Sequence, residues 1–599
     1  MDSFDHFDEQ ITVDFEYFCP NGWNPGVICM AAHELKSGRK HLYWSDQLYE
    51  MRECPFPTGE DSLVIAYSAP AELSCFYALG WREPTWILDL LPEQRCLENG
   101  RLFKTGSNPS PFSMTSTLEF YGLSHIDAGE KQSNQDLAQR GWPFSDTEKK
   151  LLLDYVDSDV DSLDRLLTVM IPLIQNFKEA LFRGAFQKAI ARSERHGIPI
   201  DPNWKILKEK WPGILKTLIE DVDQEYGCYE EGKDGKMVFK EELFDAWVEK
   251  LDVDWPTSTT GRYKTDRDTF SDLSKDYPEI EGLHELRKIV RETSSIKLSV
   301  GPDSRNRTGL LPYFAKTGRC TPSGNKYVHG CPKFMRKLIK PEFGYSYSSL
   351  DYSSQEIYVA AALSEDPAMM EIAQASDPYL KMAQWAKMAP EGSTKESHPE
   401  VRKQFKALTL GTNYGMGVQK LSEKLGCSLY HARRLQEFHK RKFHVYWEWV
   451  RREESHGLLY NRLESNFGWQ VHLVDNISFD EDSGDYSVQE PSLQAIQNWP
   501  VQCHSFHILQ VAMIWVWENG ISVTGPLHDA IGIYSKTEKI EEDIKLASRL
   551  MSEAAEFVVG VKIPVDSNTC HYPERFQDDS PAADAMWEKI TALVPELRD

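Results

Sequence analysis

The segment Tyr345–Ala360, YSYSSLDYSSQEIYVA, constrains the fold more than any other stretch of the chain. It begins with the alternation of a strand, which delivers Asp351, and then turns helical, so that Glu356 follows about one turn further on. A lone carboxylate at a strand end has little chemistry of its own. Two later segments supply partners. VRKQFKALTLGTNYGMG repeats Arg402, Lys406, Leu410 and Tyr414 every four residues, which puts them on one helix face, and an apolar strand pair is interrupted by His528-Asp529.

At 599 residues the chain is longer than one hydrophobic core usually supports, so three or more domains are expected; the 41% hydrophobic and 12% aromatic content can fill them. There is no apolar run of about eighteen residues, which excludes an expected membrane span. The acidic N-terminal MDSFDHFDEQ lacks the apolar segment of a secretory signal, so the expectation is a cytoplasmic protein. Eleven cysteines without a CxxC pair argue against a zinc ribbon or a disulfide scaffold. A net charge of -25 speaks against a uniformly basic nucleic-acid binder, but local potential matters more than the sum. Lys316, Arg319, Lys326, Lys333, Arg336, Lys337 and Lys340 form one basic stretch, and Arg433, Arg434, Lys440, Arg441 and Lys442 form another; either is a phosphate-binding surface or a solvated face.

Near the N-terminus, ITVDFEYF reads as a strand whose period of two puts Asp14 and Glu16 on one face, about 7 Å apart. Two ionised acids that close favour a cation between them; the alternative is an exposed strand face. VIAYSAPAELSCFYALGW reads as a strand entering a helix near Glu72, WILDLL as a short strand placing Asp89, and Tyr155 and Asp159 share a helix face. Together these pieces resemble a DEDDy-type 3′–5′ proofreading exonuclease with a ribonuclease-H-like α/β fold. The resemblance implies that Asp14, Glu16, Glu72 and Asp159 hold two divalent ions and that Tyr155 orients the attacking water. Glu72 stands where Asp is commoner, a variant associated with phage enzymes, and Ser68 stands where Asn is frequent.

DYSSQEI, VRKQFKALTLGTNYGMG and LHDA, in that order, resemble motifs A, B and C of family A DNA polymerases, most closely the phage-encoded branch. Independently of that likeness, two cations in the first half of the motif B helix, added to the positive end of its dipole, suit a triphosphate, and Tyr414 offers a stacking surface for a base pair. Asp351 and Asp529 are the acids a two-metal phosphoryl transfer requires. The resemblance adds the Tyr352 carbonyl as a metal ligand, Glu356 as a steric gate against a ribose 2′-hydroxyl, Arg319 in TGR as a duplex contact, Asn498 and Gln502 in QAIQNWPVQ as minor-groove readers, and His528 as a DNA contact. It also marks departures: Ala530 replaces an acid, Leu410 an aromatic, and Tyr379 in SDPYLKMA a phosphate-contacting His. With Ala530, catalysis is expected to manage with Asp351 and Asp529.

The expected architecture is α/β multidomain, a ribonuclease-H-like exonuclease domain followed by a right hand of palm, fingers and thumb. The boundaries are 1–176 exonuclease, 177–300 a mostly helical thumb, 301–363 the first palm segment, 364–452 fingers and 453–599 the second palm segment. No 5′ nuclease domain is expected, because the exonuclease pattern begins at the first residues. The implied cofactors are two Mg²⁺ per active site, with Mn²⁺ as a substitute; the implied partners are primer-template DNA and dNTPs, with the protein a monomer in a host's cytoplasm if phage-encoded. Some phage polymerases of this branch serve genomes with 2-aminoadenine in place of adenine, and that is the finest expectation carried here. The rivals are a single-subunit RNA polymerase, opposed by Glu356 and the adjoining exonuclease pattern, and a non-catalytic DNA-binding protein, opposed by the retention of both Asp351 and Asp529.

Overall fold

The β-branched and aromatic residues near the N-terminus form the centre of a mixed five-stranded sheet. In a computed structural model that describes residues 3–101, 112–125, 128–251, 253–258, 260–294, 296–322, 326–473, 477–479, 486–488 and 493–598, the strands are β1 (Glu9–Phe18), β2 (Gly26–Glu34), β3 (Lys40–Trp44), β4 (Ser62–Ala66) and β5 (Trp86–Asp89), ordered β3-β2-β1-β4-β5. β1 runs antiparallel to β2 and parallel to β4, and β4 runs parallel to β5. Alternation gives β1 one apolar and one polar face. Ile11, Val13 and Phe15 pack with Leu73 and Phe76 of helix α1 (Ala69–Ala78), which leaves Thr12, Asp14 and Glu16 to the opposite face.

Further along come helices α2 (Leu90–Glu98), α3 (Ala128–Arg140), α4 (Asp146–Met170) and α5 (Phe177–His196). The Ser145 hydroxyl and the Glu148 side chain close a capping box at the start of α4, which fixes where its long apolar stripe begins. Helix α5, expected as the start of the thumb, lies in the compact unit that contains this sheet. The reason is a backbone contact no hydrophobic pattern reveals: a Cβ at Gly184 would lie 1.9 Å from the Ile87 carbonyl oxygen, so only glycine lets α5 reach β5. Beside it Arg183 makes two 2.6 Å hydrogen bonds to the Glu93 carboxylate on α2.

Contacts divide the chain into two compact units, the first comprising Met1–Gly197, Gly309–Thr321 and Ser348–Asn568. Its later part contains β6 (Tyr345–Tyr352, from Ser348 onward), α6 (Gln355–Ser364), α7 (Pro378–Trp385), α8 (Pro399–Asn413), α9 (Leu429–Lys442), α10 (His444–Tyr460), α11 (Leu493–Glu518), β7 (Ser522–Leu527), β8 (Ala530–Lys536), α12 (Ile540–Val559) and the start of β9 (Val565–His571). The strand order is β7-β8-β6-β9, with β7 and β8 an antiparallel hairpin. The expected boundary between residues 452 and 453 falls inside α10, whose helix continues to Tyr460. α11 is apolar around most of its circumference, which suits a helix that packs against α5, α6, α12 and β7 at once.

The second unit comprises Ile198–Thr308, Pro322–Tyr347 and Thr569–Asp599. Helices Trp204–Tyr226 and Pro278–Thr293 enclose a core rich in rings, with Tyr226, Phe244, Trp255 and Phe270 buried together. Much of the first basic stretch is used inside this unit. Arg336 pairs with Asp578 at 3.0 Å, Lys337 with Asp584 at 2.6 Å and Lys340 with Asp201 at 3.7 Å, so these three cations serve structure rather than an open phosphate surface. Ser323 and Gly324, which close the Gly-rich segment after Arg319, lie outside the described residues. All eleven cysteines are free.

Candidate functional site

Two pockets gather the residues that the sequence singled out. The first, of about 550 Å³, opens over β1 and is lined by Asp14, Glu16, Glu72, Tyr155 and Asp159. Carboxylate oxygens of Asp14, Glu16 and Asp159 lie within 4.8 Å of one another. Burial, then neighbouring acids, push the Asp14, Glu16 and Glu72 carboxyls well above the usual range. Glu72 Oε2 is buried with no hydrogen-bond partner. An orphaned carboxylate oxygen beside three crowded acids is a donor set suited to divalent cations, so the residues fit the implied metal. Tyr155 and Asp159, one turn apart on α4, are hydrogen-bonded to each other.

Two neighbours of this pocket shape it without belonging to the expected ligand set. Asp89 accepts from the backbone N–H groups of Ser68 and Ala69, both at 2.8 Å, from Leu91 N at 3.1 Å and from Gln187 Nε2 at 2.6 Å. It thereby joins the start of α1, which carries Glu72, to the start of α2. Ser68 holds a left-handed φ of 76° at that junction. Lys131 on α3 was not foreseen, yet its Nζ lies 3.8 Å from Asp159 Oδ2 and lowers the acids' tendency to hold protons.

The second pocket, of about 760 Å³, is lined by Asp351, Tyr352, Glu356, Arg402, Lys406, Leu410 and Asp529 among others. β6 delivers Asp351, and the hairpin β7-β8 pairs Leu527 with Ala530, so His528 and Asp529 form its two-residue tip. His528 takes a left-handed φ of 56° there, a conformation costly for a non-glycine residue and tolerated where the fold over-determines it. Asp351 and Asp529 are close enough to share a hydrogen bond. Desolvation in the pocket, and next the Asp529 charge, push Asp351 up to about 7. Two carboxylates this close are eased by a cation between them, which is the arrangement of a paired-carboxylate metal site.

Across this pocket α8 presents Arg402, Lys406 and Leu410 as a stripe, and Tyr414 caps the helix. Tyr379 does not stand free as a phosphate donor. Its hydroxyl is bonded to Ser354, and its ring lies beneath Arg402 at 5.5 Å and Lys406 at 5.9 Å, a platform that aligns the two cations. Arg402 is also paired with Asp377, the N-cap of α7, a residue whose signal was available in the Asp-Pro that opens that helix.

The remaining residues converge on Tyr414. Its hydroxyl bonds to Glu356 and Gln502, Asn498 Nδ2 donates to its carbonyl at 3.5 Å, and Arg319 Nη2 lies 3.7 Å from Glu356 Oε1. Gly415 follows with φ of 70°, and a Cβ there would lie 2.8 Å from Gln494 Cγ, so the turn after Tyr414 needs glycine. Tyr352 is buried and anchored by its hydroxyl to the Met551 carbonyl at 2.7 Å. Of the second basic stretch, Lys440 and Lys442 lie over the rings of Trp447 and Trp385, at 4.8 and 3.8 Å, which leaves Arg433, Arg434 and Arg441 on the exposed side of α9.

Paired acids on a strand and a hairpin tip, faced by a cationic helix, define a polymerase fold. The solved polymerase domain of Pol1 from M. smegmatis, in complex with DNA primer-template and dNTP, superposes with a TM-score of 0.69 at 17% identity, over 94% of this chain and 95% of that one. The chain belongs to DNA polymerase family A, which it matches over residues 218–572. It is 23% identical to DNA polymerase I of Borreliella burgdorferi, over 70% of this chain and 47% of the relative. It is likewise 23% identical to the thermostable DNA polymerase I of Thermus aquaticus, over 52% and 38%, and 24% identical to the DNA polymerase of Escherichia phage T5, over 47% and 36%. The chain thus spans about half or less of the length of these relatives. Among the described residues no helix is long and apolar enough to cross a membrane.

Proposed function

We propose that the chain is a template-directed DNA polymerase that extends a primer 3′ end with dNTPs, and that its N-terminal sheet domain is a 3′–5′ proofreading exonuclease. The observation that carries the first reading is the shared pocket of Asp351 and Asp529 facing Arg402 and Lys406. Asp351, Asp529 and the Tyr352 carbonyl would hold two Mg²⁺, which supply Lewis-acid activation of the primer hydroxyl and charge stabilisation of the leaving pyrophosphate. Arg402 and Lys406 bind the triphosphate, Arg402 exchanging Asp377 for phosphate oxygens. Tyr379 keeps both cations directed at it. Glu356 occupies the wall where a 2′-hydroxyl would sit, and Tyr414, Asn498, Gln502 and Arg319 form the floor for the nascent base pair and duplex. In this reading the helices of the second unit serve as thumb, the segments around Asp351 and Asp529 as palm and helices α7 to α9 as fingers, and the protein acts as a monomer, which light scattering of the free protein tests.

The exonuclease reading is supported by the sheet order, which suits a ribonuclease-H-like domain, and by the four acids around Tyr155. Asp14, Glu16, Glu72 and Asp159 would hold the cations there, and Tyr155 orients the water. Primer extension with dNTPs and rNTPs offered separately tests the polymerase; rNTP use equal to dNTP use would instead support an RNA polymerase. The finer expectation, a phage genome containing 2-aminoadenine, rests on resemblance to the phage branch and is tested by competing 2-amino-dATP against dATP opposite template T.

A further inference from the structure

The polymerase pocket contains an acid that its motifs do not supply. Ala530, buried beside the hairpin tip, brings no carboxylate to Asp529. β6 has β8 on one side and β9 on the other, and the second residue of β9 is Asp566. A shift of one residue would turn Asp566 to the other face of the sheet, so its register decides its role. That register is fixed locally: Ser353 N–H donates to the Pro564 carbonyl at 2.9 Å, and Ser353 Oγ donates to Asp566 Oδ2 at 2.5 Å. The carboxylate therefore lines the same cavity as Asp351 and Asp529. It is solvent-accessible, and Ser353 is its one hydrogen-bond partner among the described residues.

An acid at a strand end is ordinarily a solvated group. Asp566 differs because a neighbour orients it, because it stands in the cavity of the paired acids Asp351 and Asp529, and because no lysine or arginine among the described residues pairs with it there. Adding a further negative charge beside that pair raises its cost when empty and its affinity for cations when filled. We infer that Asp566 is a third cation-binding carboxylate of the polymerase pocket, held in place by Ser353. The inference rests on the two-cation reading above and extends it. The oxygens of Asp351, Asp529 and Asp566 do not all lie within 4.8 Å of one another, so the contact of Asp566 is drawn through a cation-bound water.

The test is Mn²⁺ binding read by electron paramagnetic resonance, with a dideoxy-terminated primer-template and dNTP, in protein carrying Asp14→Ala and Glu16→Ala so that the first pocket does not contribute. Asp566→Asn should weaken Mn²⁺ affinity about tenfold and raise the Mg²⁺ concentration for half-maximal extension by a similar factor. Ser353→Ala should act in the same direction by less, and Asp566→Glu should restore most of the affinity. Melting temperature and primer-template affinity report whether Asp566→Asn still folds. Asp529→Asn is the control. If it loses Mn²⁺ while Asp566→Asn matches the parent in both Mn²⁺ affinity and Mg²⁺ dependence, the role of Asp566 is overturned and the two-cation reading stands. If Asp529→Asn also binds Mn²⁺ as the parent does, both fall.

Discussion

The two acid pockets hold like charges together by different means. In the first, Asp14 and Glu16 come from one strand and Asp159 from the helix over it, all within the first 159 residues, and the acids are crowded, with Lys131 as the nearest cation. In the second, Asp351, Asp529 and Asp566 come from three separate strands or strand ends, and the cations stand across the cavity on α8, already engaged with Asp377 and Tyr379. The first is thus a cluster of acids gathered in a pocket of about 550 Å³, a donor set suited to cations. The second has an acidic wall and a basic wall with space between them, which is what a substrate bearing both metal-binding and charge-paired phosphates needs.

The comparison is broken most directly by removing an acid from each side. Asp529→Ala should lower extension by about a thousandfold or more, the loss of several kcal/mol of charge stabilisation, while 3′-end degradation continues. Near-parental extension by this variant would mean that the second pocket is not the synthetic site. Asp14→Ala with Glu16→Ala should abolish degradation of a mismatched primer to a similar extent and leave extension within about twofold of the parent, because no side chain of the second pocket changes. Continued degradation would remove the exonuclease assignment.

Smaller effects sharpen the second pocket. Glu356 and Leu410 line it together. Glu356→Ala should improve ribonucleotide use relative to dNTP, and Leu410→Tyr, by adding a hydroxyl that can pair where a 3′-hydroxyl is missing, should improve dideoxynucleotide use. Each ratio should move by about ten- to a hundredfold, the equivalent of about 1–3 kcal/mol for one unpaired polar group. Single-nucleotide kinetics in the exonuclease-deficient background measure both, and two unmoved ratios would show that α6 and α8 do not meet at the sugar.

The smallest expected effect concerns pH. Asp351, at about 7, and the acids of the first pocket have folded-state pKa values raised above those of an unfolded chain. Metal-free protein therefore loses stability as pH rises through the window from the ordinary carboxylate value to about 7, since the unfolded state releases those protons more readily. Bound Mg²⁺ offsets that loss, so the Mg²⁺-dependent rise in Tm should be larger at pH 8 than at pH 5, by a few degrees. Scanning calorimetry with and without Mg²⁺ reads it, and an increment that shrinks as pH rises would contradict the assigned shifts.

Periodicity made much of both sites readable before any fold was known. The four-residue repeat of Arg402, Lys406 and Leu410, the alternation that turned Asp14 and Glu16 to one face, and the Tyr155–Asp159 spacing are local, because helix and strand periods fix faces without reference to the rest of the chain. What those patterns could not carry was any relation between segments far apart in sequence. The sequence placed Asp89 on a short strand and gave it no role, and only its four hydrogen bonds show it to be a clasp between helix starts. α5 had the composition of a new domain, and the approach of Gly184 to Ile87, with the Gln187–Asp89 hydrogen bond, ties it to the first sheet. Asp566 sits in VKIPVDSN, a segment with no catalytic signature, and becomes part of the polymerase pocket because β9 pairs beside β6 in one register. The sequence by itself determined which side chains each element presents and to which side; the tertiary structure alone decided which of them meet, because strand pairing and close backbone approach depend on contacts that no local period encodes.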